Sequence, residues 1–407
     1  MRIDAKRLLA DLRELSQFGK YKTGVNRPAF SSPDIEARRW LCSKMAEAGL
    51  AAEIDRFGNV YGRTPGVQRA VLVGSHTDSV PFGGWLDGSL GTIYGLEIAR
   101  CFVERGKGDI GVDTVSFQDE EGTFLSLLGS RSFCGDDVRA EVARAKDKDG
   151  NSLAAAIAGV RLPDRDPARL NPARHLGFFE AHIEQGPRLE GSKFQIGVVT
   201  AIVGIRTLRV QFVGQADHAG TTPMAMRRDA GAAALKFGTL LTESLKSSAG
   251  ADTVWNFGGI TFRPGAANVV PSEAELFFQA RDTDPATLEA VERRARELAD
   301  ECARFFQVAC DIAVLLDVSP TVMDAQLASF IERAAAELGA SHIAMPSGAG
   351  HDAMVLARCI PAAMLFVPSI NGRSHDITED TSEDHIVTGA QVLLRAVELF
   401  AESRQAS

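Results

Sequence analysis

The sequence predicts an α/β protein: a mostly parallel mixed sheet flanked by helices, interrupted by a smaller α+β unit. Three observations predict it. Short apolar runs alternate with stretches of helical period in both outer parts of the chain. Several runs stop at a polar or glycine-rich loop: Val71-Leu72-Val73-Gly74-Ser75 leads into His76, Asp113-Thr114-Val115-Ser116-Phe117-Gln118 into Asp119-Glu120-Glu121-Gly122, and Met364-Leu365-Phe366-Val367 into the loop of His375. Between about residues 206 and 319 the rhythm changes to β-α-β-β-α-β, the ferredoxin-like order.

In chain order, residues 4–16 place Leu8, Leu9, Leu12 and Leu15 at helical spacing. A second helix starts at Ser32 as N-cap, with Pro33 in its first turn, and stops at Gly49. Strands follow at 52–57 and 60–63, then the strand that ends at His76. Residues 91–105 form a helix behind the Asp87 loop, and the strand before Glu120 comes next. Residues 160–175, with three prolines and several charges, form a surface loop. In the middle of the chain, 206–213 is a strand, 229–247 a helix, 253–262 and 273–281 strands, 285–306 a long charged helix and 308–316 a strand. The α/β rhythm then returns, with a helix at 324–338, a strand at 362–367 and a closing helix at 383–403. The predicted domains are therefore a discontinuous one, 1–206 with 319–407, and an insert, 207–318.

Bulk properties exclude several classes. The 407 residues carry 45% hydrophobic and 24% charged side chains, ordinary for a globular protein. A net charge of -9 opposes nucleic-acid binding, which needs a basic patch. Six cysteines with no Cys-x-x-Cys pair suit reduced thiols in the cytoplasm. The start, Met1-Arg2-Ile3-Asp4-Ala5-Lys6-Arg7, lacks the apolar core of a signal peptide, and no stretch approaches the ~20 apolar residues of a membrane span.

The chemistry-bearing residues sit at the predicted strand ends, where open α/β sheets place their ligands. His76 and Asp78, two residues apart in extended chain, share a face, so Asp78 is placed to orient the His76 ring. Asp87 lies in Gly83-Gly84-Trp85-Leu86-Asp87-Gly88; alone it reads as a turn aspartate, and after His-x-Asp as a bridging carboxylate. Asp119-Glu120-Glu121 crowds three acids together, which is costly unless a cation offsets them. Adjacent glutamates suit a division of labour, one binding metal and one taking a proton from water. His182 and Glu184 alternate onto one face. Imidazole and carboxylate together accept zinc, manganese, cobalt or nickel. His175, His342 and His385 read as structural.

These motifs carry a resemblance over essentially the whole chain: Gly-Ser-His-Thr-Asp-Ser at 74–79, Gly-x-x-Asp-Gly at 84–88, Asp-Glu-Glu-Gly at 119–122, His-Ile-Glu-Gln-Gly-Pro at 182–187, Ala-Asp-His-Ala-Gly-Thr-Thr-Pro-Met at 216–224, Ser-Gly-Ala-Gly-His-Asp-Ala at 347–353 and Ser-His-x-x-x-Glu at 374–379. The chain resembles the zinc-dependent amidohydrolase group of the M20 metallopeptidase superfamily: N-carbamoyl-L-amino acid hydrolases, allantoate and ureidoglycolate amidohydrolases and β-ureidopropionases. The resemblance implies two divalent ions, zinc first, with His76 and His182 on one, Glu121 and His375 on the other, and Asp87 bridging. It implies Glu120 as general base with Asp78 among the catalytic residues. His218 would reach the site across a dimer, and Gln185, Asn268, Arg281, Gly350 and His351 would bind a small ureido or carbamoyl substrate with a carboxylate. The insert would be a lid and a homodimer interface. Histidine at position 182 points away from the peptidase branches, which usually carry an acid there. The reaction implied is hydrolysis of an N-carbamoyl-L-amino acid. Allantoate or ureidoglycolate hydrolysis is the alternative, and a peptidase or aminoacylase the third. A set of five ligands and a base argues against a non-catalytic binding protein.

Overall fold

The structure, a computed structural model, describes all 407 residues except 107, 164, 251, 406 and 407. The predicted loop at 160–175 includes residue 164 and to that extent lies outside the described residues. The chain divides into two compact units: Met1–Thr200 with the chain from Met323 onward, and Ala201–Val322.

In the first unit, helix α1 (Ala5–Leu15) is capped by Asp4, whose carboxylate accepts from the Lys6 and Arg7 amides, and it buries Leu8, Leu12 and Leu15. Helix α2 (Ser32–Glu47) is capped by Ser31 rather than Ser32, because the Ser31 hydroxyl accepts from the Asp34 amide. Strands β1 (Ala51–Ile54), β2 (Val60–Arg63) and β3 (Arg69–His76) follow. Helix α3 (Ser89–Arg105) starts two residues before its apolar pattern, because Gly88 turns the chain at φ +62°. It is buried from Ser89 through Phe102, so it is a core helix rather than an amphipathic surface one. Strands β4 (Ile110–Phe117), β5 (His175–Ile183) and β6 (Ile196–Ile202) complete the first half; β6 was not apparent from residue patterning.

The second unit contains β7 (Gly204–Val213), α4 (Ala230–Ser248), β8 (Val254–Arg263), β9 (Glu273–Asp282), α5 (Pro285–Phe306) and β10 (Ala309–Val318). Its sheet has the order β8-β9-β7-β10, antiparallel throughout, the ferredoxin-like arrangement. Its core packs Leu208, Val210, Phe212, Leu276 and Phe278 against Phe237, Leu241 and Leu298 of the helices. The chain then gives β11 (Thr321–Val322), α6 (Ala325–Glu337), β12 (His342–Ser347), β13 (Ala362–Val367) and α7 (Glu383–Gln405).

The large sheet runs β11-β6-β13-β5-β3-β4-β2-β1, with β12 also on β6. Its centre, β13, β5, β3 and β4, is parallel. Both flanks are antiparallel, with β6 on β13 and β2 on β4. The central strands are buried along almost their whole length, as parallel strands covered on both faces must be. No described helix is long and apolar enough to cross a membrane.

Candidate metal centre

All four parallel strands deliver a candidate ligand at or just beyond their carboxyl ends. His76 is the last residue of β3 and His182 the penultimate residue of β5. Glu120 and Glu121 follow β4, and His375 lies in the loop after β13. Asp87 comes from the turn between β3 and α3. The close approach depends on Gly88, where a Cβ would lie 2.3 Å from His76 Nε2.

Two ligand groups result, His76–Asp87–His182 and Asp87–Glu121–His375, with the donor atoms of each within 4.8 Å of one another. They share Asp87 through different oxygens. Oδ1 lies 3.5 Å from His76 Nε2 and 3.1 Å from His182 Nε2, while Oδ2 lies 3.4 Å from His375 Nε2. Glu121 Oε2 is 3.6 Å from the same His375 nitrogen. The far nitrogens of the buried rings face backbone carbonyls: His76 Nδ1 is 3.1 Å from Asp78 O, and His182 Nδ1 is 2.9 Å from Ile183 O. A carbonyl only accepts, so each ring places a hydrogen on Nδ1 and, when neutral, leaves the Nε2 lone pair beside a carboxylate oxygen, although His182 Nε2 also accepts from the Gly88 amide at 3.1 Å. Two acceptors at that distance require a proton or a cation between them. Glu121 Oε1 is buried with no hydrogen-bond partner among the described residues, which fits the same need. The donor set therefore suits two divalent ions.

The protonation equilibria follow from this crowding. Burial would raise the Asp87 carboxyl, but His182, His375 and His76 outweigh it and hold it well below the usual range. Burial opposes charge on His76, yet Glu120, Asp87 and Asp78 raise it well above an ordinary imidazole. Glu120 is pushed well up by burial, with Asp352, Glu121 and Asp87 adding to it against His76, and burial then Asp87 push Glu121 to about 7. Without ions the cluster holds protons, and ions that bind there displace them.

Glu120 Oε2 is 3.6 Å from His76 Nε2, beside the first group. Asp78 does not orient His76 through its carboxylate, as its spacing suggested: Oδ1 is 3.8 Å from His76 Nδ1, and the Asp78 carbonyl takes the ring hydrogen instead. Its carboxylate accepts from Arg38 Nη2 (3.3 Å) and from the Glu121 amide (3.2 Å), which ties the two ligand loops together. Asp119 turns away at φ +55° and accepts from the Phe124 and Leu125 amides, so two of the three crowded acids face the centre. Glu184 leaves the face it was read to share with His182 and accepts from the Arg188 and Leu189 amides.

Gln185 Nε2 donates to Asp87 Oδ2 (2.8 Å) and lies 3.2 Å from His375 Nε2. His351 is buried with its ring 4.6 Å from that of His182, and burial depresses its basicity strongly. Gly350, next to it, is exposed and has no contact with either group among the described interactions. His218, Asn268 and Arg281 belong to the second unit. His218 is exposed, its Nδ1 accepts from the Gly220 and Thr221 amides, and its backbone bridges to Val269. Asn268 is also exposed and its carbonyl accepts from the Ala219 amide, so these two loops are neighbours. Arg281 Nε donates to Gln279 Oε1 at 3.0 Å.

Residue patterning missed several supporting groups. Arg38 is wholly buried and donates to Asp34, Asp78 and the Phe117 carbonyl. Glu180 is buried and accepts from Ser75 Oγ and the Ala353 amide. Its signal was available, since it alternates onto the same face as His182. Asp352 is fully buried, with neither oxygen hydrogen-bonded among the described contacts. Ser374 and Glu379, the ends of the Ser-His-x-x-x-Glu motif, both reach the Asp87 loop.

Comparison with known proteins identifies the family. Residues 72–399 match the family described as Peptidase family M20/M25/M40. The chain is 36% identical over 401 residues to an N-carbamoyl-L-amino-acid amidohydrolase of Paenarthrobacter aurescens, covering 97% of each chain. It is 35% identical over 399 residues to the allantoate amidohydrolase of Escherichia coli (strain K12), covering 93% of this chain and 94% of the other. A crystal structure of an amidase of the hydantoinase/carbamoylase family from Burkholderia phymatum superposes with a TM-score of 0.93 at 46% identity, covering 99% of this chain and 98% of that one. The chain therefore belongs to peptidase family M20/M25/M40, and is a hydrolase of carbon–nitrogen amide bonds in its carbamoylase and amidohydrolase group.

Proposed function

We propose that the protein removes the carbamoyl group of N-carbamoyl-L-amino acids. The observation that carries this reading is the division of Asp87, one oxygen toward His76 and His182 and the other toward His375, with Glu120 3.6 Å from His76. Two divalent ions would be held by His76, Asp87, His182, Glu121 and His375 and would supply Lewis acidity to the water and to the carbonyl under attack; zinc is the first candidate, with manganese, cobalt and nickel also matching the donors. Glu120 accepts the proton of the attacking water and returns it to the departing nitrogen. Cleavage of the terminal C–N bond releases ammonia and leaves an N-carboxy amino acid, which loses carbon dioxide to give the free amino acid. Asp78 holds the His76 and Glu121 segments in place. Gln185, Gly350 and His351 line the substrate on the first unit's side. Arg281 is assigned the substrate carboxylate, for which a guanidinium fork is suited, with Asn268 beside it. His218, from a second copy of the chain, is assigned to the carbonyl oxygen as negative charge develops. In this reading residues 207–318 act as lid and dimer interface, and the six free cysteines suit a reducing cytoplasm.

A second reading keeps the site and changes the substrate to allantoate or ureidoglycolate, supported by the comparable identity to the allantoate amidohydrolase. Ammonia release by zinc- or manganese-loaded protein separates the readings. The panel contains N-carbamoyl-L-amino acids and their D-forms, N-carbamoyl-β-alanine, allantoate, ureidoglycolate and dipeptides. The expected result is preference for N-carbamoyl-L-amino acids. Preference for allantoate or ureidoglycolate would establish the second reading, and dipeptide cleavage alone would overturn both.

A further inference from the structure

We propose that Glu379 is the positioning residue that divides Asp87 between its two ligand groups, by clamping the Asp87 loop to the His375 loop; this rests on the two-ion reading above. Glu379 Oε1 accepts from two consecutive amides, Leu86 at 3.1 Å and Asp87 at 3.0 Å. Its other oxygen is 3.0 Å from Ser374 Oγ, which also lies 3.1 Å from Asp87 Oδ2. One carboxylate therefore fixes the backbone of the bridging residue, and the Ser374 hydroxyl, with one hydrogen to donate, lies between that carboxylate and the Asp87 oxygen that faces His375, to which Gln185 Nε2 also donates. Glu379 is 1% exposed, and its own amide donates to Asp376 O, so it is held from its own side as well.

The fit is tight from the opposite side. A Cβ on Gly84 would lie 1.9 Å from both Cδ and Oε1 of Glu379. The loop can pass over the carboxylate only with glycine at that position. Without the clamp, nothing else among the described contacts anchors the Leu86 and Asp87 amides. Asp87 would then keep only its side-chain bonds from Gln185 and Ser374, and its unanchored backbone could shift both oxygens toward His76 and His182, whose rings are tied to rigid strands. The His375 group would lose its bridging oxygen first.

Zinc ions titrated against a chromogenic chelator, together with metal content after desalting, test this. Wild-type protein is expected to hold two ions. Glu379→Ala should keep one and bind the second about 10- to 100-fold more weakly, the usual cost of losing an outer-shell partner. Gly84→Ala, which displaces the same carboxylate from the other side, should do the same. Glu379→Gln should keep both ions, because its amide oxygen can accept from both backbone amides. A residue that only stabilises the fold would lower the melting temperature and leave the ion count at two. Two ions of wild-type affinity in Glu379→Ala would overturn the clamp, and so would loss of the second ion in Glu379→Gln. Fewer than two ions in the wild type would overturn the two-ion reading and the clamp with it. Should Glu379→Ala fail to fold, Ser374→Ala removes only the hydroxyl link. A roughly tenfold weaker second ion supports the clamp there, and unchanged affinity overturns it.

Discussion

The two ligand groups share Asp87 and differ in how they are built. His76 and His182 come from neighbouring strands of the parallel sheet, are buried, and have rings pinned to backbone carbonyls. Glu121 and His375 come from loops; the His375 side chain is 50% exposed and its backbone sits at φ +55°. The first group is preorganised by the sheet, whereas the second is assembled from loops that must be held together by hydrogen bonds. Preorganised ligands lose less freedom on binding, so the two groups should hold the same ion with different affinity and exchange rate.

The comparison breaks most completely at the shared residue. Asp87→Ala should lose both ions and leave ammonia release at background, measured by elemental analysis beside the turnover assay. Retention of two ions would mean that the groups do not depend on a common bridge. Glu120→Gln should act on the chemistry alone: turnover falls about 10²- to 10⁴-fold, the range for a general base, with the ion count unchanged. Unchanged turnover would remove Glu120 from that role. The asymmetry itself is read by paired variants. His375→Ala should keep one ion and His182→Ala should weaken the tighter one. In the wild type a chelator should strip one ion well before the other, and simultaneous loss of both would show the groups to be equivalent.

Much of the first group was legible in the sequence, and less of the second, for a physical reason. His76 is read from an apolar run that stops at it and His182 from its alternation along a strand, because the period of a strand fixes which face a residue takes. Asp78 shows the limit: spacing placed it beside His76, but backbone direction decides whether its carboxylate or its carbonyl meets the ring, and the carbonyl does. Glu379 and Ser374 sit in one sequence motif, yet the contact of Glu379 to the Leu86 and Asp87 amides and of Ser374 to the Asp87 carboxylate spans nearly three hundred residues and has no local pattern. Arg38 reads as one of several charges on a helix, and only the packed structure shows it buried under the strand ends. The insert was legible as a whole, because β-α-β-β-α-β has one common sheet order and its cores alternate regularly.

A third histidine–aspartate cluster sharpens what makes the metal centre different. His175, read from the sequence as structural, lies 3.2 Å from Asp113, and both are buried. There the carboxylate is saturated by the protein. Arg174 donates to both oxygens at 2.7 and 2.9 Å, Tyr61 OH donates at 2.7 Å and the Thr64 amide at 2.8 Å. The guanidinium is the cation, so no ion is called for; Asp87 has no arginine among its described contacts and faces imidazole nitrogens instead. Burial alone would raise Asp113, but its bonds from His175, Arg174 and Tyr61 hold it at about 2. An unfolded aspartate titrates near 3.9, so the stabilisation is fully present above about pH 4 and is lost as the pH falls through about 2. Its size is about 2–3 kcal/mol and it touches stability only, the smallest of the expected effects. Asp113→Asn, which leaves Arg174 without its counter-charge, should be less stable than wild type in urea denaturation at pH 5, and the gap should shrink by about that amount toward pH 2. A gap that stays constant over that range would mean Asp113 is not held ionised by its neighbours, and the contrast with Asp87 would lose its basis.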